Sequence, residues 1–95
     1  MGLANYDSVQ THIKVKPELM WPVPAHWSLE EAATVPLAYC LAFYCLYFKS
    51  SLKTGMSVLV HGGTGALGQA VISIALGHGC NVFTTVSDNK KKHFL

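Results

Sequence analysis

Ninety-five residues, 51% of them hydrophobic and 13% charged, make a chain too apolar for a disordered segment and suited to a buried core. A net charge of +2, carried by scattered or C-terminal lysines with no arginine, gives no basis for nucleic-acid binding. Three cysteines (Cys40, Cys45 and Cys80) with no C-x-x-C pair argue against a disulfide framework and a zinc site, and read as buried thiols in a reducing, cytoplasmic setting.

The N-terminus, MGLANYDSVQ, lacks the basic and apolar regions of a signal peptide. Val9, Thr11, Ile13 and Val15 alternate with Gln10, His12, Lys14 and Lys16, a period of two that predicts a half-buried strand ending at Pro17. The stretch 21–27, WPVPAHW, is a connector whose two prolines resist helix and central strand alike. SLEE, residues 28–31, predicts a capping box at the start of a short helix. Pro36 ends that helix and suits the first turn of the next. From 37 to about 50 the chain is apolar on nearly every face, which predicts a helix buried on most sides, with Tyr39, Phe43, Tyr44, Tyr47 and Phe48 in the core. The apolar run Val35–Phe48 is too short to cross a bilayer. LKTG, 52–55, is expected to close the helix, with Gly55 as a left-handed C-cap.

The second half changes character. A strand over 56–60, a glycine-rich loop over 62–65, a helix over 66–76 and a strand over 81–86 form one βαβ unit, with a further helix starting near Asp88. A parallel pair needs more strands and both faces covered, so the chain reads as part of a larger nucleotide-binding domain.

Gly63, Gly65 and Gly68 match G-x-G-x-x-G. In that pattern the first glycine permits the turn out of the strand, the second lets backbone approach a pyrophosphate, and the third lets helix and strand pack closely. The amides opening the following helix then face the phosphate. A P-loop is excluded, because Gln69 and Ala70 stand where lysine and serine or threonine are required. His61 either touches the cofactor or finishes the strand with a local hydrogen bond. The second strand ends in Val86 and Ser87, without the acidic residue that holds ribose hydroxyls in NAD binders. Ser87 and a lysine of 90–92 can supply the hydroxyl and cation that a 2′-phosphate wants, so NADPH is favoured; Asp88 argues the other way.

GLANY, SLEEAATVP, the apolar helix, the Lys-Thr-Gly turn and VLVHGGTGALGQA together resemble the medium-chain dehydrogenase/reductase superfamily. MWPVPAHWSLEEAATVPLAYCLAFYCL and GCNVFTTVSDNKK look most like the enoyl reductase domain of animal-type fatty acid synthase. The resemblance runs the length of the chain and covers only part of such a domain. It implies an α/β fold: an incomplete Rossmann-type, doubly wound parallel sheet, preceded by the end of a β-rich (GroES-like) substrate lobe and a hinge helix. The divisions would be 1–27 for lobe and connector, 28–55 for hinge helices and 56–95 for the first βαβ unit. It also implies zinc-free, NADPH-dependent reduction of a carrier-bound trans-2-enoyl thioester in a cytoplasmic, homodimeric multifunctional synthase, with no membrane or nucleic-acid partner.

On this resemblance Gly63, Thr64, Gly65, Ala66, Leu67 and Gly68 hold the pyrophosphate, Ser87 and Lys91 hold the adenosine phosphate, and the segment 35–41 lies near the nicotinamide. Leu41 departs from the threonine common in relatives, and Asp88 stands where many have serine or threonine. The proton donor is expected beyond Leu95, so no catalytic residue is assigned. The alternatives are a quinone oxidoreductase-like member of the same superfamily, a short-chain reductase of the extended type, and a non-catalytic nucleotide- or partner-binding fragment.

Overall fold

The structure, a computed structural model, describes residues 1–5 and 9–95, which divide into two compact units, Met1–Leu37 and Ala38–Leu95.

In the first unit the backbone of the N-terminus lies against the segment before Trp21. Gly2 and Met20 form an isolated antiparallel bridge, Leu3 N–H donates to the Leu19 carbonyl at 3.0 Å, and Trp21 N–H donates to the Met1 carbonyl at 2.7 Å. A single 3₁₀ turn spans Pro17–Leu19. The strand expected over 9–15 is absent: these residues are bends and open chain, and Val9 is 99% exposed. Alternation makes a segment fit for a sheet, but a strand exists only where a neighbour takes up its backbone groups.

Helix α1 (Leu29–Ala33) begins as the sequence requires. Glu31 N–H donates to Ser28 Oγ at 3.1 Å, and Ser28 N–H donates to Glu31 Oε2 at 2.8 Å. Five residues make too short a helix to persist on propensity, so the cap matters. Ser28→Ala is expected to cost about 1 kcal/mol. Faster exchange of the Glu31 amide, with the exchange of the strand amides unchanged, is the measurement that checks it.

Helix α2 (Pro36–Phe43) starts on its proline and passes into a π-helical turn, Tyr44–Lys49. Counted from Leu29, the run to Lys49 is 21 residues, so by length and composition it passes for a membrane span, which the shorter count from Val35 did not allow. Its C-terminus is closed by Ser50 and Ser51, and Gly55 takes no part as a cap. Ser50 N–H donates to the Cys45 carbonyl at 3.1 Å, Ser50 Oγ donates to the Leu46 carbonyl at 2.9 Å, and Ser51 takes φ 51°. Gly55 is left-handed, at φ 86°, but it turns the chain into the sheet and donates its N–H to the Gly79 carbonyl.

The core of the second unit gathers Leu46, Leu52, Ala75 and Cys80, with Tyr47, Val58, Val71, Ile74 and Val82 against them. Of the five aromatics expected inside, only Tyr47 packs there, its hydroxyl 3.0 Å from His78 Nδ1. Tyr39, Phe43, Tyr44 and Phe48 are exposed, and Phe43 and Tyr44 instead lie against the rings of Tyr47 and Phe48. A helix apolar all round leaves bare whichever faces no neighbour covers. The thiols divide similarly: Cys80 is buried, Cys40 half-buried and Cys45 exposed.

Strands β1 (Ser57–His61) and β2 (Asn81–Thr85) pair in parallel, from Ser57 opposite Asn81 to His61 opposite Thr85. Helix α3 (Ala66–Gly77) makes the crossover and packs on both. Helix α4 (Asn89–Phe94) follows β2. The register aligns the C-terminal ends of both strands at one edge, where open α/β sheets bind ligands.

Candidate nucleotide-binding site

At that edge the chain leaves β1 through Gly62, whose φ of 74° lies in the left-handed region where a side chain is strained. The turn expected at Gly63 is therefore made one residue earlier. Gly62 and Gly63 both donate N–H to the Thr85 carbonyl, at 3.1 and 3.2 Å. Gly63 is buried, and a Cβ on it would run into the Thr84 side chain. Gly68, one turn into α3, is buried too, and a Cβ there would strike the Gly62 carbonyl and the Gly63 Cα. Gly68 thus brings helix and turn into backbone contact, and Gly63 lets the turn lie against the side chains of Thr84 and Ile72.

Gly65 is different. It is the exposed N-cap of α3, in extended conformation, and a Cβ there would have only the Gly62 carbonyl nearby, at 3.5 Å. No side chain caps α3, so the amides of its first turn have no side-chain partner. The loop before it is held by Gln69, whose Nε2 donates to the Thr64 carbonyl at 2.7 Å. Gln69, which the sequence offered only as the reason against a P-loop, fixes the turn.

Two cavities meet at Gly62. One, of about 390 Å³, lies between β1 and the start of α3 and touches Gly65, Ala66, Leu67 and Gly68. The other, of about 360 Å³, is lined by Gly62, Thr64, Thr85, Val86, Ser87 and Lys91. The expected pyrophosphate residues thus divide: Gly65, Ala66, Leu67 and Gly68 face the first, Thr64 faces the second, and Gly63 lies beneath.

Ser87 and Lys91 are brought together. Lys91 Nζ donates to Ser87 Oγ at 2.7 Å, on the wall of the second cavity. Asp88 turns elsewhere: its Oδ1 accepts the Lys91 N–H at 2.9 Å and caps α4. His61 lines the first cavity, with its Nδ1 3.1 Å from Thr85 Oγ1. Thr85 is a residue that motif reasoning missed. Its carbonyl takes both glycine amides and its hydroxyl lies 3.3 Å from Gly62 N. Only the register opposite His61 reveals it. Gly62 carried a legible signal, a paired glycine at a strand end.

No family model matches the chain. A highly reducing polyketide synthase of Penicillium roqueforti is 44% identical over 68 residues, which is 72% of this chain and 3% of that protein. Among solved structures, the CurK enoyl reductase superposes with a TM-score of 0.76 at 35% identity, over 81% of this chain and 23% of that one. In sequence and fold, the chain is similar to the enoyl reductase domains of polyketide synthases. A mycobacterial protein solved in complex with NADPH is also 35% identical, with a TM-score of 0.74 over 81% of this chain and 24% of that one. The enoyl reductase-like chain thus spans a small part of each of these proteins. Its α/β architecture, with parallel strands joined by a crossover helix, is that of the nucleotide-binding part of such reductases. The chain matches polyketide synthases, and not specifically the animal-type fatty acid synthase to which the sequence resemblance pointed.

Proposed function

We propose that this chain is the cofactor-holding part of an NADPH-dependent enoyl reductase that acts on carrier-bound enoyl thioesters within a larger multifunctional synthase. The observation that carries the reading is the Lys91–Ser87 pair at 2.7 Å, set on a cavity that opens from the glycine turn. The residues present fit a phosphorylated dinucleotide. Gly65 leaves room for a pyrophosphate, and the first-turn amides from Ala66 to Gly68 offer it donors. Thr64 borders the second cavity, beside Ser87 and Lys91. Gly63 and Gly68 hold the turn close enough to the helix to keep those donors in place. At the far end, the Lys91 ammonium and the Ser87 hydroxyl match the charge and acceptors of a 2′-phosphate.

When bound, NADPH supplies the hydride, and the chain's own residues bind and orient it. The similarity to polyketide synthases and to an NADPH-bound mycobacterial protein supports this reading. The fatty acid branch rests on the motif resemblance, and both branches share the carrier-bound enoyl thioester as substrate. Homodimeric assembly and a cytoplasmic location belong to the same proposal.

The test begins with the size of the native polypeptide and its peptides. It continues with NADPH oxidation by that polypeptide in the presence of a trans-2-enoyl thioester, with a quinone as the control substrate. Oxidation with the thioester alone is expected. Oxidation with the quinone alone would move the chain to the quinone-reductase branch, and oxidation with neither would leave the enoyl reductase reading without support.

A further inference from the structure

We infer that Asp88 is a positioning residue that sets Lys91 against Ser87, and is not a discriminator against a 2′-phosphate; this rests on the reading of Ser87 and Lys91 given above. An acidic residue just after the second strand ordinarily argues for ribose hydroxyls and against an extra phosphate. Here its carboxylate is engaged along the helix. Asp88 is extended, its Oδ1 accepts the Lys91 N–H at 2.9 Å, and its carbonyl accepts the Lys92 N–H at 3.2 Å. It does not line the cavity that Lys91 and Ser87 share.

Helix α4 needs this cap. It is six residues long and carries Lys90, Lys91 and Lys92 near its positive end, where cations are disfavoured. A side-chain oxygen at the N-cap takes up one of the orphan amides there. The geometry then links cap and cation. Lys91 is the third residue of α4, and helical side chains lean toward the N-terminus, so its stem runs back over the cap. Its Nζ reaches Ser87 at 2.7 Å, one residue before Asp88. If α4 frays, the ammonium loses its fixed place on the cavity wall.

The experiment titrates NADPH and NADH, by cofactor fluorescence, into the native polypeptide and its Asp88→Ala and Asp88→Asn variants. Asparagine keeps the capping oxygen and removes the charge. Asp88→Ala is expected to weaken NADPH about fivefold and leave NADH within about twofold, while Asp88→Asn restores the NADPH affinity. The Lys91 amide should exchange faster in the alanine variant and as wild type in the asparagine variant. Tighter NADPH binding in both variants would overturn the inference, because the charge would then be acting by repulsion. Unchanged NADPH binding in Asp88→Ala would overturn it as well, and so would equal weakening of both cofactors. A wild-type protein that binds NADH but not NADPH would overturn the assignment of Ser87 and Lys91 first, and this inference with it.

Discussion

Gly68→Ala is expected to destabilise the second unit by about 2–3 kcal/mol and to abolish measurable dinucleotide binding. The added methyl has nowhere to go. It would meet the Gly62 carbonyl and the Gly63 Cα, which are backbone atoms and cannot rotate aside. Relief requires α3 to move away from the turn, and that shift takes the Ala66–Gly68 amides with it. The turn cannot easily retreat, because Gly62 and Gly63 are tied to the Thr85 carbonyl. Gly65→Ala is the comparison, since its Cβ meets only one atom, at an ordinary 3.5 Å. It should leave the melting temperature near wild type and lower cofactor affinity alone. Thermal melts and cofactor titrations on the two variants check both statements. A Gly68→Ala protein as stable as Gly65→Ala would show that helix and turn are not in the backbone contact described.

Lys91→Met is expected to lower NADPH affinity about tenfold while leaving NADH unchanged, which removes the preference between them. Methionine retains an apolar stem of similar reach, so the change is confined to the charge. Lys91 Nζ and Ser87 Oγ lie 2.7 Å apart on one cavity wall, and a 2′-phosphate placed there would take donors from both. Ser87→Ala should act in the same direction with a smaller loss, because a neutral hydroxyl contributes less than an ammonium. The dependence on salt is a second readout: the NADPH affinity of wild type should fall with ionic strength more steeply than that of Lys91→Met. Equal loss of both cofactors in Lys91→Met would place the lysine outside the phosphate subsite.

Much of this molecule could be read before its tertiary structure, and the readable parts share a cause. The capping box at Ser28 and Glu31 and the helix opening on Pro36 depend on interactions within a few residues, and the strand, turn, helix and strand of 57–85 announce themselves by local apolar period and glycine spacing. Backbone sterics, capping and apolar period are written locally, so spacing alone conveys them. Gly68 was legible for the same reason, as the glycine that lets helix and turn pack closely, whereas Gly63, read as the turn, is instead the buried position under it.

What remained hidden depends on partners distant in sequence. The residues from Val9 to Val15 alternate properly yet form no strand, since alternation does not supply a neighbour. The ring of Tyr47 is packed and that of Phe48 bare, though both sit on one uniformly apolar helix, because only the position of the sheet and α3 decides which face is covered. The left-handed turn fell to Gly62 because β1 continues to His61, and the pairing with Thr85 sets where β1 ends. Asp88 was ambiguous as a letter in the sequence, and its meaning came from the direction of its carboxylate. The sequence alone therefore determined the kind of unit, a glycine turn and crossover helix joining two parallel strands. The tertiary structure decided which atoms face the candidate site, because register, coverage and side-chain direction are settled only when separate segments meet.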